Sequence, residues 1–181
     1  LPRIQSGVTR TWIGPEYWAN PLMNWRLSEG RIECSHGGWV NELHSLTHQL
    51  KPGQGSFTMT VTTGLLDRQG LFSQAPVFAG FTFAALGHRN DYRANILHDI
   101  ADGFGAVLQQ ERPVRAGITN DGRLVVGAKT AKNVFDRKDL SEIKLDLLVY
   151  YSEGFAKVQL TATRPNGSAK SLSASIDRDS F

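Results

Sequence analysis

Cysteine is almost missing: Cys34 is alone among 181 residues, so no intramolecular disulfide can form and pairing says nothing about the redox compartment. Long apolar runs are missing too. No stretch approaches the ~18 consecutive apolar residues of a membrane-crossing helix, so no membrane span is expected. Cations are not clustered: the formal charge is +3 and no run of Lys or Arg exceeds two residues. A nucleic-acid footprint needs concentrated positive charge, so nucleic acid is not an expected partner. The start at Leu1-Pro2-Arg3 has neither an initiator Met nor a signal-peptide core. Together with the charged end Asp177-Arg178-Asp179-Ser180-Phe181, it gives the expectation of a fragment of a longer chain.

Helical periodicity is scarce as well, and only Val134 to Leu140 reads as a short helix. What the sequence has instead is alternation. Phe57, Met59 and Val61 alternate with Thr58, Thr60 and Thr62, the period of a half-buried strand with the first three facing the core. Val77 to Leu86 carries Phe78, Phe81 and Phe83, with Gly80 permitting a bulge or a close backbone approach. A loop at His88 to Asp91 separates it from a strand at Tyr92 to His98. Ile143, Leu145, Leu147, Val149 and Tyr151 alternate with Lys144 and Asp146, and Ala156, Val158, Leu160 and Ala162 with Lys157, Gln159, Thr161 and Thr163. These two strands are expected to pair antiparallel across Ser152-Glu153-Gly154.

Eighteen glycines beside Asn, Asp, Ser and Pro punctuate the strands. Asp121-Gly122, between apolar strands, supplies the positive φ angles of a tight hairpin turn. Arg164-Pro165-Asn166-Gly167-Ser168 turns the chain again, into a strand where Leu172, Ala174 and Ile176 point one way. The expected architecture is all-β: a two-sheet antiparallel β-sandwich forming one domain over residues 1–181, well within the size a single sandwich reaches.

The stretch Thr11-Trp12-Ile13-Gly14-Pro15-Glu16-Tyr17-Trp18-Ala19-Asn20-Pro21-Leu22, followed by Asn24-Trp25-Arg26-Leu27 and Gly30-Arg31-Ile32-Glu33-Cys34, resembles concanavalin A-like jelly-roll domains of bacterial exported proteins. More narrowly, with Leu46 to Leu50, Asn90 to Arg93 and Thr119 to Leu124 in order, it resembles the N-terminal sandwich of D-type alkaline phosphatase-like proteins. The resemblance implies a periplasmic, cell-surface or secreted bacterial protein, and a lectin-like or accessory role beside a hydrolase. The phosphatase's own Asp/His/Asn metal motifs are absent from this sequence, and Gly87-His88-Arg89-Asn90-Asp91 does not reproduce their order.

No catalytic residue and no metal ligand is assigned from the sequence. Sugar hydrolysis on this fold, as in laminarinase-like enzymes, uses a Glu-x-Asp-x-Glu strand whose carboxylates sit about 5–5.5 Å apart. Glu142 and Asp146 are four apart with no third acid following, which leaves a glycoside hydrolase as the alternative reading. His44 and His48 have a zinc-compatible spacing, but Ser45 stands where the metalloprotease pattern needs Glu. No cofactor is expected; Asp99, Asp102 and Asp121 could offer oxygens to a structural calcium ion, though no spacing resembles an EF-hand.

Among Trp12, Tyr17, Trp18, Trp25 and Trp39, Trp25 is expected in the core. Trp39, after Gly37-Gly38, is a candidate sugar platform, because sugar rings stack on exposed aromatic faces. The main candidate site is the loop His88, Arg89, Asn90, Asp91, Tyr92 and Arg93, which gathers donors, acceptors and a ring. The competing reading of that loop is an Asx-type turn with a structural Arg–Asp pair. The partner expected is a glycan or a neighbouring catalytic domain, with a purely structural spacer as the third reading.

Overall fold

The structure, a computed structural model, describes residues 4, 6–36, 41–48, 55–66, 77–83, 114–132, 135–152 and 155–177. The chain divides into two compact units, residues 1–51 with 88–106, and residues 52–87 with 107–181. Among the described residues the structure is all-β, every pairing is antiparallel, and helix is limited to single 3₁₀ turns at Leu22–Asn24 and Arg137–Asp139. The helix expected over 134–140 is therefore one turn long. Its Leu140 is buried in the core, so the segment serves as an anchored connection.

In the smaller unit, β1 (Tyr17–Asn20) pairs with β4 (Glu42–Ser45), and β2 (Trp25–Ser28) with β3 (Arg31–Cys34). The β2–β3 hairpin turns on Glu29 and Gly30, both at positive φ (49° and 77°), the two-residue turn whose twist matches that of paired strands. Leu27 is buried on one face of this hairpin. On the other face Glu33, 6% exposed, lies 3.0 Å from Arg26 and 3.3 Å from Arg31, so a buried carboxylate is neutralised by two cations reaching in from solvent.

The larger unit is a sandwich of two four-stranded sheets. One has the order β12-β11-β10-β5, from β5 (Gly55–Thr63), β10 (Ile143–Ser152), β11 (Phe155–Thr163) and β12 (Ala169–Asp177). The other has the order β6-β7-β8-β9, from β6 (Phe78–Phe83), β7 (Val114–Thr119), β8 (Leu124–Val126) and β9 (Lys129–Thr130). The alternating residues of β10 and β11 do what their period dictates: Ile143, Leu145, Leu147, Val149, Ala156, Val158, Leu160 and Ala162 are all buried. They form one core with Phe81, Phe83, Val114, Ala116, Ile118, Leu124 and Val126 of the facing sheet.

Gly80 earns its place on β6, since a Cβ there would stand 2.3 Å from the Ala116 carbonyl oxygen of β7. At the β7–β8 turn only Gly122 has positive φ (83°), so the turn is not the two-residue kind. The Gly122 N–H donates to Thr119 O and the Thr119 N–H to Arg123 O, giving a three-residue loop with glycine in the left-handed position. The β11–β12 loop repeats the device with Gly167 at φ 83° and bonds between Arg164, Gly167 and Ser168.

One expectation is corrected. Phe57 packs partly buried against the core, but Met59 and Val61, on the same face of β5, keep 44% and 38% of their surface exposed. The physical reason is position: among the described residues β5 is the outer strand of its sheet, while their partners Leu147 and Leu145 on β10 have neighbours on both sides.

Candidate functional site

The loop residues His88, Arg89, Asn90, Asp91, Tyr92 and Arg93, together with Trp39, lie outside the described residues, as do Asp99 and Asp102. Asp121 sits in the β7–β8 turn, where its carboxylate accepts from the Thr119 hydroxyl and pairs with Arg123 at 2.8 Å. The Thr119 bond, then Arg123, holds its carboxyl below the usual range. His44 lies on β4, 3.2 Å from the Glu42 carboxylate, while His48 falls beyond the strand with Thr47 Oγ1 at 2.8 Å from its Nδ1. The two imidazoles thus do not share a strand face. Among the described residues no three His, Cys, Asp or Glu side chains gather as a metal group.

The early aromatics are less buried than expected. Trp12 is 51% exposed with Arg10 stacked 4.9 Å from its ring centre, and Tyr17, Trp18 and Trp25 are all part-exposed. Trp25, at the start of β2, is part-buried with its indole Nε1 enclosed, so it contributes to packing without being a fully buried core residue. Cys34 gives its thiol to the His36 carbonyl, and burial pushes its pKa up, away from a reactive thiolate.

The feature that combines groups on one surface is the outer face of the β12-β11-β10-β5 sheet. Register puts Thr58, Leu148, Gln159 and Ser173 in one cross-strand row, and Ser56, Tyr150, Lys157 and Ser175 in the next. Leu148 and Tyr150 are 42% and 53% exposed, and on β10 they stand where a half-buried strand would carry polar groups. Around them run hydroxyls: Thr60, Thr62, Thr161, Thr163 and Ser171 continue the same face. Some are locked, since Thr161 and Ser171 lie 2.8 Å apart. Those of Ser173 and Ser175 line a shallow groove of about 610 Å³ with Leu148, Tyr150, Lys157 and Gln159.

One side of this groove is bounded by the β8–β9 turn. There Lys129 reaches across and donates to the Ser173 carbonyl at 2.8 Å, occupying a backbone acceptor on the free edge of β12. Lys157 lies 5.7 Å from the ring centre of Phe155. The groove's lining thus includes the Tyr150 ring, the aliphatic side chains Leu148, Val158 and Ile176, one amide, two serines and two lysines. Such a set stacks on C–H faces and bonds to hydroxyls.

Alternation along β10 points to its inward residues and so draws attention away from this face. The signal was present in the run Leu147-Leu148-Val149-Tyr150-Tyr151, where two apolar side chains interrupt the polar phase begun by Lys144 and Asp146.

Asp146 lies one row from the groove. It accepts from Thr60 Oγ1 at 2.7 Å and pairs with Lys144 at 3.0 Å, and the Thr60 bond, then Lys144, lowers its pKa. A glycosidase general acid needs the opposite shift. Because the folded value lies below the unfolded one of about 3.9, Asp146 adds stability above that value and loses it as pH falls through the folded pKa. Thr60→Val is expected to move the Asp146 midpoint back up, read by a carboxyl carbon NMR titration; an unmoved midpoint would show that Thr60 is not the main cause.

Among the described residues no helix is long and apolar enough to cross a membrane. Compared with protein-family models, with curated proteins and with solved structures, the chain gives no match.

Proposed function

We propose that this chain is a non-catalytic carbohydrate-binding module, a concanavalin A-like jelly roll that accompanies a hydrolase, possessing its sugar contact on the outer face of the β12-β11-β10-β5 sheet. The observation that carries this reading is Tyr150, exposed beside Leu148 and flanked by Gln159, Lys157, Ser173 and Ser175 in one groove. A ring standing on a rigid sheet loses little freedom on stacking, and the polar neighbours satisfy sugar hydroxyls without moving. The resemblance, carried by the segments of Thr11 to Cys34 together with Leu46 to Leu50, Asn90 to Arg93 and Thr119 to Leu124, adds the setting: an exported bacterial protein, periplasmic, cell-surface or secreted, whose partner domain is a D-type phosphatase-like hydrolase. Fold resemblance alone would not choose a ligand.

Glycan-array binding by the purified chain is the test. Tyr150→Ala is expected to lower binding about tenfold or more, the loss of one stacked ring. Trp39→Ala and Tyr92→Ala, run beside it, separate this face from the site expected from sequence. Binding that survives Tyr150→Ala and disappears with either of the others would move the contact off the sheet. Binding to no glycan would sink the module reading.

A second reading has one observation in its favour: Met59 and Val61 are exposed on the core-facing side of β5. A spacer that packs against a catalytic domain would present apolar side chains of this kind.

A further inference from the structure

The groove's charge narrows its ligand, and, resting on the carbohydrate-binding reading, we infer that the sheet face takes an acidic polysaccharide, one whose sugars carry carboxylates. Two of the groove-lining residues, Lys129 and Lys157, are cations, and none is an acid. The nearest carboxylates on the same face are Asp146, already held by Thr60 and Lys144, and Asp177, one row beyond Lys157. Neither forms an ion pair with a groove lysine.

Lys138, Lys144, Arg123 and Arg164 each pair with an aspartate, at 3.8, 3.0, 2.8 and 2.8 Å. Lys157 instead lies near the Phe155 ring, on the strand beside Tyr150, where register sets the two residues directly opposite. A sugar stacked on Tyr150 would therefore place a ring substituent within reach of an ammonium that forms no ion pair among the described residues. Lys129 stands at the far side of β12, so an extended chain lying across the strands meets Tyr150, Lys157 and Lys129 in turn. Ammonium groups bind carboxylates as point charges, and a charge-assisted contact is stronger than a neutral one.

Two cations set among hydroxyls, an amide and one ring fit a charged sugar better than a nucleic-acid backbone, which needs many clustered cations. A neutral glycan would meet Lys157 only through hydroxyl acceptors, which bind an ammonium less strongly than a carboxylate does.

The experiment compares polygalacturonate with a neutral glucan of similar length by calorimetry at two salt concentrations, with single-stranded DNA as a third ligand. The intact chain is expected to bind polygalacturonate about tenfold tighter than the glucan, the scale of one charge-assisted bond. Lys157→Gln should abolish that preference, and Lys157→Arg should retain it. Lys129→Gln should reduce it by a smaller factor, with circular dichroism confirming that each variant is folded. Tyr150→Ala should weaken both glycans. Equal affinity for the two glycans would overturn the acidic preference while leaving the module reading intact. DNA binding as tight as polygalacturonate would overturn recognition of a sugar, and no binding to any ligand would overturn both.

Discussion

Gly122→Ala is expected to destabilise the larger unit by roughly 3–5 kcal/mol, from a left-handed backbone penalty added to a steric one. Gly122 has φ 83°, and a Cβ built on it would lie 1.9 Å from the carbonyl oxygen of Phe135 and 2.8 Å from its carbon. Those are backbone atoms, so no side chain can rotate away. The surroundings cannot yield cheaply either, because the Phe135 N–H donates to Gly122 O and the Phe135 side chain is buried in the core. Gly167 separates the two contributions. It has the same φ and the same place in a three-residue hairpin loop, but nothing lies within 4 Å of its Cβ position. Gly167→Ala should therefore show the conformational penalty alone, about 1–2 kcal/mol. Urea denaturation of the two variants reads the difference directly. Equal losses would mean that Phe135 does not press on the β7–β8 turn.

That turn was legible in part. The pair Asp121-Gly122 marks a hairpin on local chemistry alone, but the number of left-handed residues depends on how β7 and β8 are paired, which no dipeptide states. The central strands were legible almost residue by residue. A period of two over Ile143 to Tyr151 and Ala156 to Ala162 leaves one face for the core, and burial follows it. Alternation does not say where a strand stands in its sheet, however. The same pattern in Phe57, Met59 and Val61 therefore implied a buried face that the edge position of β5 does not supply.

The candidate site was read where polar residue types cluster in sequence, at His88 to Arg93. The groove is assembled from single residues on β10, β11 and β12, and only register makes Tyr150, Lys157 and Ser175 neighbours. A site of that kind is dispersed in sequence by construction. What hints at it locally is an exception to alternation, two apolar residues on an outward phase, and such exceptions also arise wherever a sheet face is covered by another element.

Leu147→Ala is expected to cost about 2–5 kcal/mol, the range for a fully buried leucine whose removal leaves a cavity. Leu147 is 1% exposed at the middle of β10, with Met59 of β5 on one side and Leu160 of β11 on the other. Both flanking strands are hydrogen-bonded to β10, so the backbone cannot collapse into the space without breaking a ladder. Met59 occupies the same cross-strand row but is 44% exposed, and Met59→Ala should cost only about 1–1.5 kcal/mol, because just part of the side chain is removed from water and no enclosed cavity is left. Melting temperatures separate the pair, at about 2–4 °C per kcal/mol for a domain of this size. The comparison also bears on function. A small cost at Met59 in the isolated chain leaves that side of β5 free to meet a partner, as the spacer reading requires. A cost matching that of Leu147 would mean that Met59 is enclosed within the folded chain, and would remove the observation on which the spacer reading rests.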